Sequence, residues 1–379
     1  MPPRSPLTAR RLSALQRALG VTRIARVSGL DRSGVEVACA VRPGGHVLQV
    51  CNGKGLSWPQ AQAGALLEAA ELWAAERVDP TALVFGSLDE LRASFGDAVW
   101  DPSDLGSAGR LVAPALFTPR TRLAFHPARD LFSGRSILLP AQSLFCPPQG
   151  AAALGPALVS WTSNGSGAHP DAPSALLHAL LEAVERDQLA RALPSGWTDA
   201  EVRRRKLDLA TLPRGASALT RAIGARGFDV HLFDLAPALG DLRLPVAGAL
   251  LVDPHHGPIP LTAGYACALD SDAALVGALL EAAQSRLTDI HGARDDVSAA
   301  HPEHARRLAA LCSRAPARRD AARMPKQLAR SAAQGVLRGL DALGRAGFRR
   351  AAAVDLAPPT LGIHIYKVAV PGLLVSELL

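Results

Sequence analysis

The sequence predicts an α/β (α+β) fold in which a mixed, partly antiparallel sheet is packed with helices. Strand-like and helix-like runs are interleaved irregularly along the chain. Near the start, the apolar runs 22–28 and 35–41 are joined by a turn that contains Asp31 and Gly34, which indicates a hairpin. A heptapeptide rich in Ala and Leu recurs three times, each time inside a helix-like run. Irregular interleaving with hairpins is typical of helices packed on a mixed sheet.

The remaining elements follow from capping signals, turn residues and apolar patterning. Ser57 with Gln60, and Ser87 with Glu90, have the spacing of capping boxes and predict helix starts. The predicted helices lie at 9–20, from 57, at 87–95, 171–193, 199–206, 215–226 and 272–290, and within the Arg-rich stretch 298–346. The predicted strands are the two hairpin runs and 47–51, 81–85, 123–125, 136–139, 228–232, 244–252, 351–355 and 363–370. Residues 314–330 are predicted to be a mobile basic loop, a solvated helix face, or a patch that binds phosphate or an acidic peptide.

Composition narrows the class of protein. The chain has 379 residues, of which 48% are hydrophobic and 20% charged, as in soluble folded proteins. The net charge of +7 favours an anionic partner such as a nucleotide or an acidic peptide. Aromatic residues, at 4%, offer few platforms for stacking nucleic-acid bases, and no run approaches the ~18 apolar residues of a membrane span. We therefore expect a cytoplasmic protein without a nucleic-acid or membrane partner.

The recurring heptapeptide is the feature around which the chain is organised. It reads ALLEAAE at 65–71, ALLEAVE at 179–185 and ALLEAAQ at 278–284. Each copy follows a glycine-bearing segment, predicted to be a loop, at 52–55, 163–167 and 262–264. The copies are about a hundred residues apart with irregular spacing, so they are not a solenoid repeat. The pattern predicts one ligand-facing helical motif that occurs three times in the fold.

Helical spacing predicts what each copy presents. Positions i, i+4 and i+7 share one helix face. They are Gly64, Glu68 and Glu71 in the first copy, His178, Glu182 and Glu185 in the second, and Gly277, Glu281 and Gln284 in the third. Carboxylates surrounded by Ala and Leu need a cation or strong donors opposite them. Three such faces would supply the hard oxygens that Mg²⁺ prefers when it also holds phosphates. The alternative is three ordinary amphipathic helices, each with a narrow solvent-exposed face.

Several ordered segments of the chain resemble those of the YcaO family. Residues 52–55 with 65–71 resemble its first ATP-binding segment, and residues 163–165 with 178–187 resemble its second. Residues 281–286 with 292–296 resemble the third, and residues 30–34 and 370–372 also match the pattern. The likeness covers about residues 20 to 373. It divides the chain into an N-terminal segment, 1–20, and a YcaO domain, 21–379.

The resemblance implies an enzyme that binds ATP and Mg²⁺ and phosphorylates a peptide backbone amide oxygen after a nucleophile has added to the carbonyl carbon. The implied Mg²⁺ carriers are Glu68, Glu71, Glu182, Glu185 and Glu281, with Gln284 as a neutral oxygen ligand or a hydrogen-bond donor. The implied phosphate cations are Lys54, Arg186, Arg286 and Arg294. Glu281, Arg286 and Lys54 are expected to be catalytic, and Asn164 to fix the nucleotide or a metal-bound water. For Arg294 and Asp295, plain salt bridging is an equal alternative.

Departures from the family pattern keep other functions open. The family usually has Ser at the position of Gly64, Arg at that of Leu72, and Gly-Asn at that of His169 and Pro170. A non-catalytic docking scaffold that binds nucleotide is therefore one alternative.

The C-terminal residues favour one reaction. The chain ends in VSELL and lacks the Pro-x-Pro-x-Pro tail that is common in azoline-forming members. We expect thioamide formation on a ribosomal precursor peptide with a sulfur-delivering, TfuA-like partner. Azoline cyclodehydration of Cys, Ser or Thr with a separate leader-binding partner is the alternative. A homodimer is expected from the family.

Overall fold

The computed structural model describes residues 7–112, 114–148, 154–236, 241–255, 259–292 and 302–375. The helices are α1 (Ala9–Ala18), α2 (Trp58–Ala75), α3 (Leu88–Phe95), α4 (Ala172–Ala192), α5 (Asp199–Arg205), α6 (Arg214–Gly224), α7 (Ser271–His291), α8 (Pro302–Arg314) and α9 (Ala332–Arg345). The strands are β1 (Arg23–Arg26), β2 (Glu36–Val41), β3 (Val50–Gly55), β4 (Val84–Ser87), β5 (Gly109–Leu111), β6 (Arg122–Asp130), β7 (Ser136–Pro140), β8 (Val159–Trp161), β9 (Ser166–His169), β10 (Leu207–Asp208), β11 (Asp229–Asp234), β12 (Val246–Val252), β13 (Leu261–Cys267), β14 (Arg319–Asp320), β15 (Ala352–Asp355) and β16 (His364–Ala369).

The strands form several sheets, and most of the pairing is antiparallel. The largest sheet has six strands in the order β4-β6-β15-β16-β9, with β7 paired to β6. Two three-stranded antiparallel sheets, β1-β2-β3 and β11-β12-β13, stand beside it. The short pair β10 and β14 is parallel. The predicted α/β class with a partly antiparallel arrangement is confirmed.

Each heptapeptide helix follows a strand and packs on it. Repeat one is β3 with α2, repeat two is β9 with α4, and repeat three is β13 with α7. Each helix also contacts the strand of the next repeat, so that α2 touches β9, α4 touches β13, and α7 touches β3. The three repeats therefore close into a ring, which brings the three helices to one centre although they are far apart in sequence.

The glycines that precede the heptapeptides permit this packing. Residues 52–55 and 262–264 were predicted to be loops, but they lie within β3 and β13. A Cβ on Gly53 would stand 2.1 Å from the carbonyl oxygen of Ala61, and one on Gly264 would stand 2.1 Å from the backbone nitrogen of Ala282. Gly167 in β9 has the same close approach to α4. The glycines are there because helix backbone lies directly on strand backbone, which leaves no room for a side chain.

Several local predictions can be compared with the structure. The hairpin is present as β1 paired with β2, and Ser87 with Glu90 forms the predicted capping box. The box at Ser57 is wrong, since Ser57 makes no capping bond and the side chain of Gln60 accepts from the backbone nitrogen of Leu56 at 3.0 Å. Residues 315–331 leave the helical pattern between α8 and α9, and Arg319 ties this stretch to Asp234.

The N-terminal helix shares a core with repeat one. Leu12 and Leu15 of α1 are buried in the same apolar cluster as Leu66 and Ala69 of α2. The domain boundary at residue 20 stays a prediction. In the described part of the chain, none of the helices has the length and apolar character that a bilayer crossing requires.

Candidate functional site

The polar faces of the three helices meet around an ion pair between Lys54 and Glu281. The Lys54 Nζ donates to Glu281 Oε2 at 2.9 Å, and the two side chains are 31% and 20% exposed. Burial alone would lower the pKa of Lys54, but the charge and hydrogen bond of Glu281, with the charges of Glu185 and Glu68, raise it above the ordinary value. Burial would raise the pKa of Glu281, but Lys54 and Arg186 outweigh burial and hold it below the ordinary value. This pair joins repeat one to repeat three.

Glu71 on α2 links repeat one to repeat two. Its Oε1 accepts a hydrogen bond from the backbone nitrogen of Ala168 in β9 at 2.8 Å. Burial raises the pKa of Glu71 well above its usual range, and the negative charges of Glu182 and Glu68 raise it further. A carboxyl group in this setting strongly favours either a proton or a cation.

Glu185 on α4 links repeat two to repeat three in the same way. Its Oε2 accepts from the backbone nitrogen of Cys267 in β13 at 3.0 Å. The pKa of Glu185 is raised to about 7 by burial and by Glu281 and Glu182, against the opposing charges of Arg186 and Lys54. Burial also raises the pKa of Glu182. The guanidinium of Arg186 lies 3.6 Å from Glu185 Oε1, and the nearby glutamates raise its pKa in spite of burial.

Gln284 on α7 closes the ring between repeat three and repeat one. It occupies the heptapeptide position of Glu71 and Glu185, and its Nε2 donates to the carbonyl oxygen of Asn52 in β3 at 3.4 Å. The partner here is a carbonyl oxygen instead of a backbone N–H, so an amide donor replaces the carboxylate acceptor. Gln284 therefore donates to the backbone of repeat one, and its predicted role towards a ligand stays a prediction.

Sequence reasoning missed Lys367 on β16. Its Nζ donates to the carbonyl oxygens of Thr162 and Asn164, the second at 2.6 Å, and lies 5.4 Å from the centre of the Trp161 ring. Only 1% of the residue is exposed. Burial lowers its pKa to about 7, against the opposing charges of Glu182 and Glu71. The available signal was a lysine that alternates with Ile365 and Ala369 on the buried side of β16.

Arg286 lies in a different environment from the one predicted. Its guanidinium contacts Asp31 at 2.9 Å and Asp253 at 3.0 Å, and all three side chains are at most 3% exposed. Arg32 also pairs with Asp253 at 2.7 Å, and both arginines lie over the ring of Phe228. We call Arg32, Arg286, Asp31 and Asp253 the arginine network. The prediction that Arg286 is a catalytic phosphate cation finds no support here, because two carboxylates already engage the guanidinium.

Asn164 and Arg294 are two further residues with predicted binding roles, and the structure describes only the first of them. Asn164 lies in the turn before β9, and its carbonyl oxygen is held by Lys367, which places it beside the acidic helices. Arg294, with Asp295 and Asp296, lies outside the described residues. The binding roles predicted for Asn164 and Arg294 stay predictions.

We call Glu68, Glu71, Glu182, Glu185 and Glu281, together with Lys54 and Arg186, the acidic cluster. Its five carboxylates are faced by three cations, Lys54, Arg186 and Lys367. Among the described residues, no three His, Cys, Asp or Glu side chains are arranged to hold a metal ion. The excess of carboxylates fits Mg²⁺ by charge and by donor type, and Lys54 and Arg186 supply charges that suit phosphate. The residues therefore fit a metal–nucleotide pair, although the structure shows no ready-made metal cage within its described part.

Two surface clefts lie elsewhere. One of about 440 Å³ lies between Leu131 and α9, and one of about 650 Å³ lies around Trp100 and Arg350. No residue of the acidic cluster lines either cleft, so the cluster stands apart from both.

The comparisons with known proteins bear on the same region. Residues 52–374 match the model of a family described as YcaO cyclodehydratase, ATP- and Mg²⁺-binding. A protein of Methanothermobacter thermautotrophicus is 31% identical over 288 residues, which are 73% of this chain and 68% of the relative. A protein described as lying in the tfuA 3′ region of Rhizobium leguminosarum bv. trifolii is 29% identical over 368 residues, 94% of this chain and 84% of the relative.

Solved structures share the fold. YcaO from Methanopyrus kandleri, bound with AMPPCP and Mg²⁺, has a TM-score of 0.72 at 22% identity, over 97% of this chain and 91% of its own. A heterocyclase in complex with substrate and cofactor has a TM-score of 0.72 at 18% identity and covers 99% of this chain. The match spans 55% of that heterocyclase. The Escherichia coli microcin synthetase McbBCD complex has a TM-score of 0.61 at 16% identity, over 91% of this chain and 86% of that one.

Proposed function

Since the chain belongs to the YcaO family, an ATP- and Mg²⁺-binding family, we propose that it activates a peptide backbone amide by ATP-dependent O-phosphorylation. The observation that carries this proposal is the meeting of three acidic helix faces around Lys54 and Glu281. An amide oxygen is a poor leaving group, and phosphorylation makes it a good one. Such a reaction needs ATP and amide held in line and the spreading phosphate charge neutralised.

In this proposal the residues of the acidic cluster have different roles. The carboxylates of Glu68, Glu182 and Glu281 would hold Mg²⁺, which supplies charge neutralisation at the phosphates when bound. Glu71 and Glu185 each use one oxygen on a neighbouring strand and so fix the helices to one another, which leaves the other oxygen for the metal or its water. Lys54 and Arg186 would contact the transferring phosphoryl group, since both stand among the carboxylates.

The reaction balances without a redox step. A nucleophile adds to the amide carbon and gives up its proton, and the resulting oxyanion takes the γ-phosphoryl group while ADP departs. Loss of inorganic phosphate then carries away the former amide oxygen. The product is a thioamide when the nucleophile is a sulfide, and an azoline when it is the side chain of a neighbouring Cys, Ser or Thr.

We favour thioamide formation on a ribosomally made peptide with a sulfur-delivering partner. The support is the relative from the tfuA 3′ region, which matches 94% of this chain. Azoline formation with a separate leader-binding partner is the second candidate. It is favoured by the fold similarity to a heterocyclase and to McbBCD, a complex also solved with pro-MccB17 bound. The homodimer and the cytoplasmic location stay predictions.

The mass change of a co-expressed precursor peptide distinguishes these functions. A precursor peptide and a TfuA-like protein would be expressed together with this chain, and the peptide would be analysed by mass spectrometry. Exchange of oxygen for sulfur adds about sixteen daltons, and dehydration removes about eighteen. We expect the gain. A loss would establish the second candidate, and an unchanged mass with tight nucleotide binding would indicate a docking scaffold.

A further inference from the structure

Lys367 is a buried cation at the edge of the acidic cluster, and neither the sequence nor the family description assigns it a role. Its ammonium group is almost completely removed from water. A buried ammonium is costly unless it is paired and hydrogen-bonded, so the fold must benefit from keeping it there.

The hydrogen bonds of the Lys367 ammonium group hold one turn. Its Nζ binds the carbonyl oxygens of Thr162 and Asn164, on both sides of Ser163. The neighbouring Val368 donates its backbone N–H to the carbonyl oxygen of Gly165 at 2.7 Å. Gly165 has a φ of 74°, and a Cβ there would stand 2.6 Å from the carbonyl oxygen of Val368. The turn at 162–165 is thus tied to β16 at successive points, and Lys367 makes the side-chain tie.

The same ammonium group faces two carboxylates from different helices. Glu182 of α4 and Glu71 of α2 both act on its charge. Lys367 therefore stands between the turn that carries Asn164 and the acidic faces of repeats one and two. Loss of its charge would remove a counter-charge from these carboxylates and release the carbonyl groups of the turn at the same time.

We propose that Lys367 is a positioning residue, which holds the 162–165 turn so that Asn164 meets the nucleotide bound at the acidic cluster. The inference rests on the proposed function for its nucleotide, while the anchoring of the turn rests on the contacts alone. Lys367 acts through Asn164 and is not itself in contact with substrate.

The chain offers a matched control in Lys206. Its Nζ also binds two backbone carbonyl oxygens, those of Cys312 at 2.5 Å and Ala315 at 2.9 Å, and burial likewise lowers its pKa. Lys206 follows α5, and no residue of the acidic cluster is among its hydrogen-bond partners or the causes of its pKa shift. Lys206→Met therefore removes the same kind of contact without touching the acidic cluster.

The test compares Lys367→Met and Lys206→Met by calorimetric titration with AMPPCP and Mg²⁺, and by hydrogen exchange of the peptide covering 162–166 without nucleotide. For Lys367→Met we expect affinity to fall at least about tenfold and exchange to rise at least about tenfold, since charged hydrogen bonds are lost. For Lys206→Met we expect both to match the wild type. Wild-type affinity in Lys367→Met, or unchanged exchange in the turn, would overturn the proposal.

Asn164→Ala keeps the test decisive if Lys367→Met does not fold. This variant retains the ammonium and its carbonyl partners, so we expect unchanged exchange with the same loss of affinity. Wild-type affinity in Asn164→Ala would overturn the inference. If the wild type itself does not bind AMPPCP with Mg²⁺, the proposed function fails, whereas the exchange measurement still decides whether Lys367 anchors the turn.

Discussion

Helix α7 contributes Glu281 and Arg286 to two groups of ionic side chains that differ in how their charges balance. In the arginine network, Arg286 and Arg32 face Asp31 and Asp253, so that two cations meet two carboxylates. Among the described residues, the five carboxylates of the acidic cluster face three cations, namely Lys54 and Arg186 of the cluster and Lys367 beside it. The two groups lie five residues apart on the helix, which at 3.6 residues per turn places Glu281 and Arg286 about 140° apart around its axis.

The pKa values follow this difference. Hydrogen bonds from Arg32 and the charges of both arginines hold the pKa of Asp253 below its ordinary value, despite some burial. Burial and neighbouring carboxylates raise that of Glu185 to about 7. A balanced network is complete without a ligand and serves the fold, whereas an unbalanced one becomes favourable only when a cation or protons arrive. From this difference we infer that Arg286 stabilises the fold, and we propose that the glutamates bind the ligand.

The largest expected effect is on the arginine network. Arg286→Met should lower the free energy of unfolding by about 3–5 kcal/mol, because Asp31 would be left buried without its cation. Denaturant unfolding followed by circular dichroism measures this change. Arg203→Met, which breaks the exposed pair with Asp199, is the control and should cost about 0–1 kcal/mol. Wild-type stability combined with lost nucleotide binding in Arg286→Met would instead show that Arg286 acts in nucleotide binding.

The next effect is on turnover. Glu281→Gln should reduce peptide-dependent ADP release at least about 100-fold, since it removes a carboxylate that would hold the Mg²⁺ needed to neutralise the developing phosphate charge. The fold should remain intact, because Gln284, Glu71 and Glu185 still close the ring. Glu303→Gln, at an exposed position of α8, is the control and should turn over normally. Normal turnover in Glu281→Gln would remove this residue from the catalytic account.

A smaller effect is expected where β13 packs on α7, the helix that carries Glu281 and Arg286. Gly264→Ala should destabilise the protein by about 1–3 kcal/mol, because the new methyl group would press into the backbone of α7. Gly224→Ala at the end of α6, where no atom lies within 4 Å of the new Cβ, should change stability by less than about 1 kcal/mol. Thermal unfolding of both variants measures the difference. Equal melting temperatures would show that α7 and β13 are less tightly apposed than described.

The smallest effect concerns pH. The pKa of Glu185 is about 7 in the folded protein and near the ordinary glutamate value in the unfolded chain, so the folded form binds this proton more tightly. Without Mg²⁺, the contribution of Glu185 to stability should therefore rise as pH falls from about 7 towards the ordinary value, and fall again as pH rises. The stability difference between wild type and Glu185→Gln, measured from pH 5 to pH 8, isolates this group. A difference that does not change with pH would contradict the raised pKa.

Much of the acidic cluster could be predicted because helical spacing fixes which residues share a face. The shared faces of Glu68, Glu182 and Glu281 followed from this periodicity, whereas Lys54 was implied by the resemblance to the YcaO family. Periodicity within one helix cannot show which neighbouring element each face meets. The family resemblance implied that Arg286 contacts phosphate, whereas Asp31 and Asp253, distant in sequence, hold its guanidinium in the arginine network.

Other features depend on contacts that no local pattern contains. Gly53 and Gly264 were predicted to lie in loops because glycine is common in turns, whereas here close approach of a helix requires it within a strand. Lys367 could not be predicted from local sequence. Its burial depends on the carbonyl oxygens of a turn about two hundred residues earlier in the chain. The fold class needed only the order of the elements and was predicted correctly.

The central claim is that the acidic cluster is completed by a metal–nucleotide pair. The most direct measurement is calorimetric titration of the wild-type protein with AMPPCP, once with Mg²⁺ and once with EDTA. We predict binding that weakens at least about tenfold without the metal, because triphosphate would then meet uncompensated carboxylates. Equal affinity under the two conditions would contradict the account.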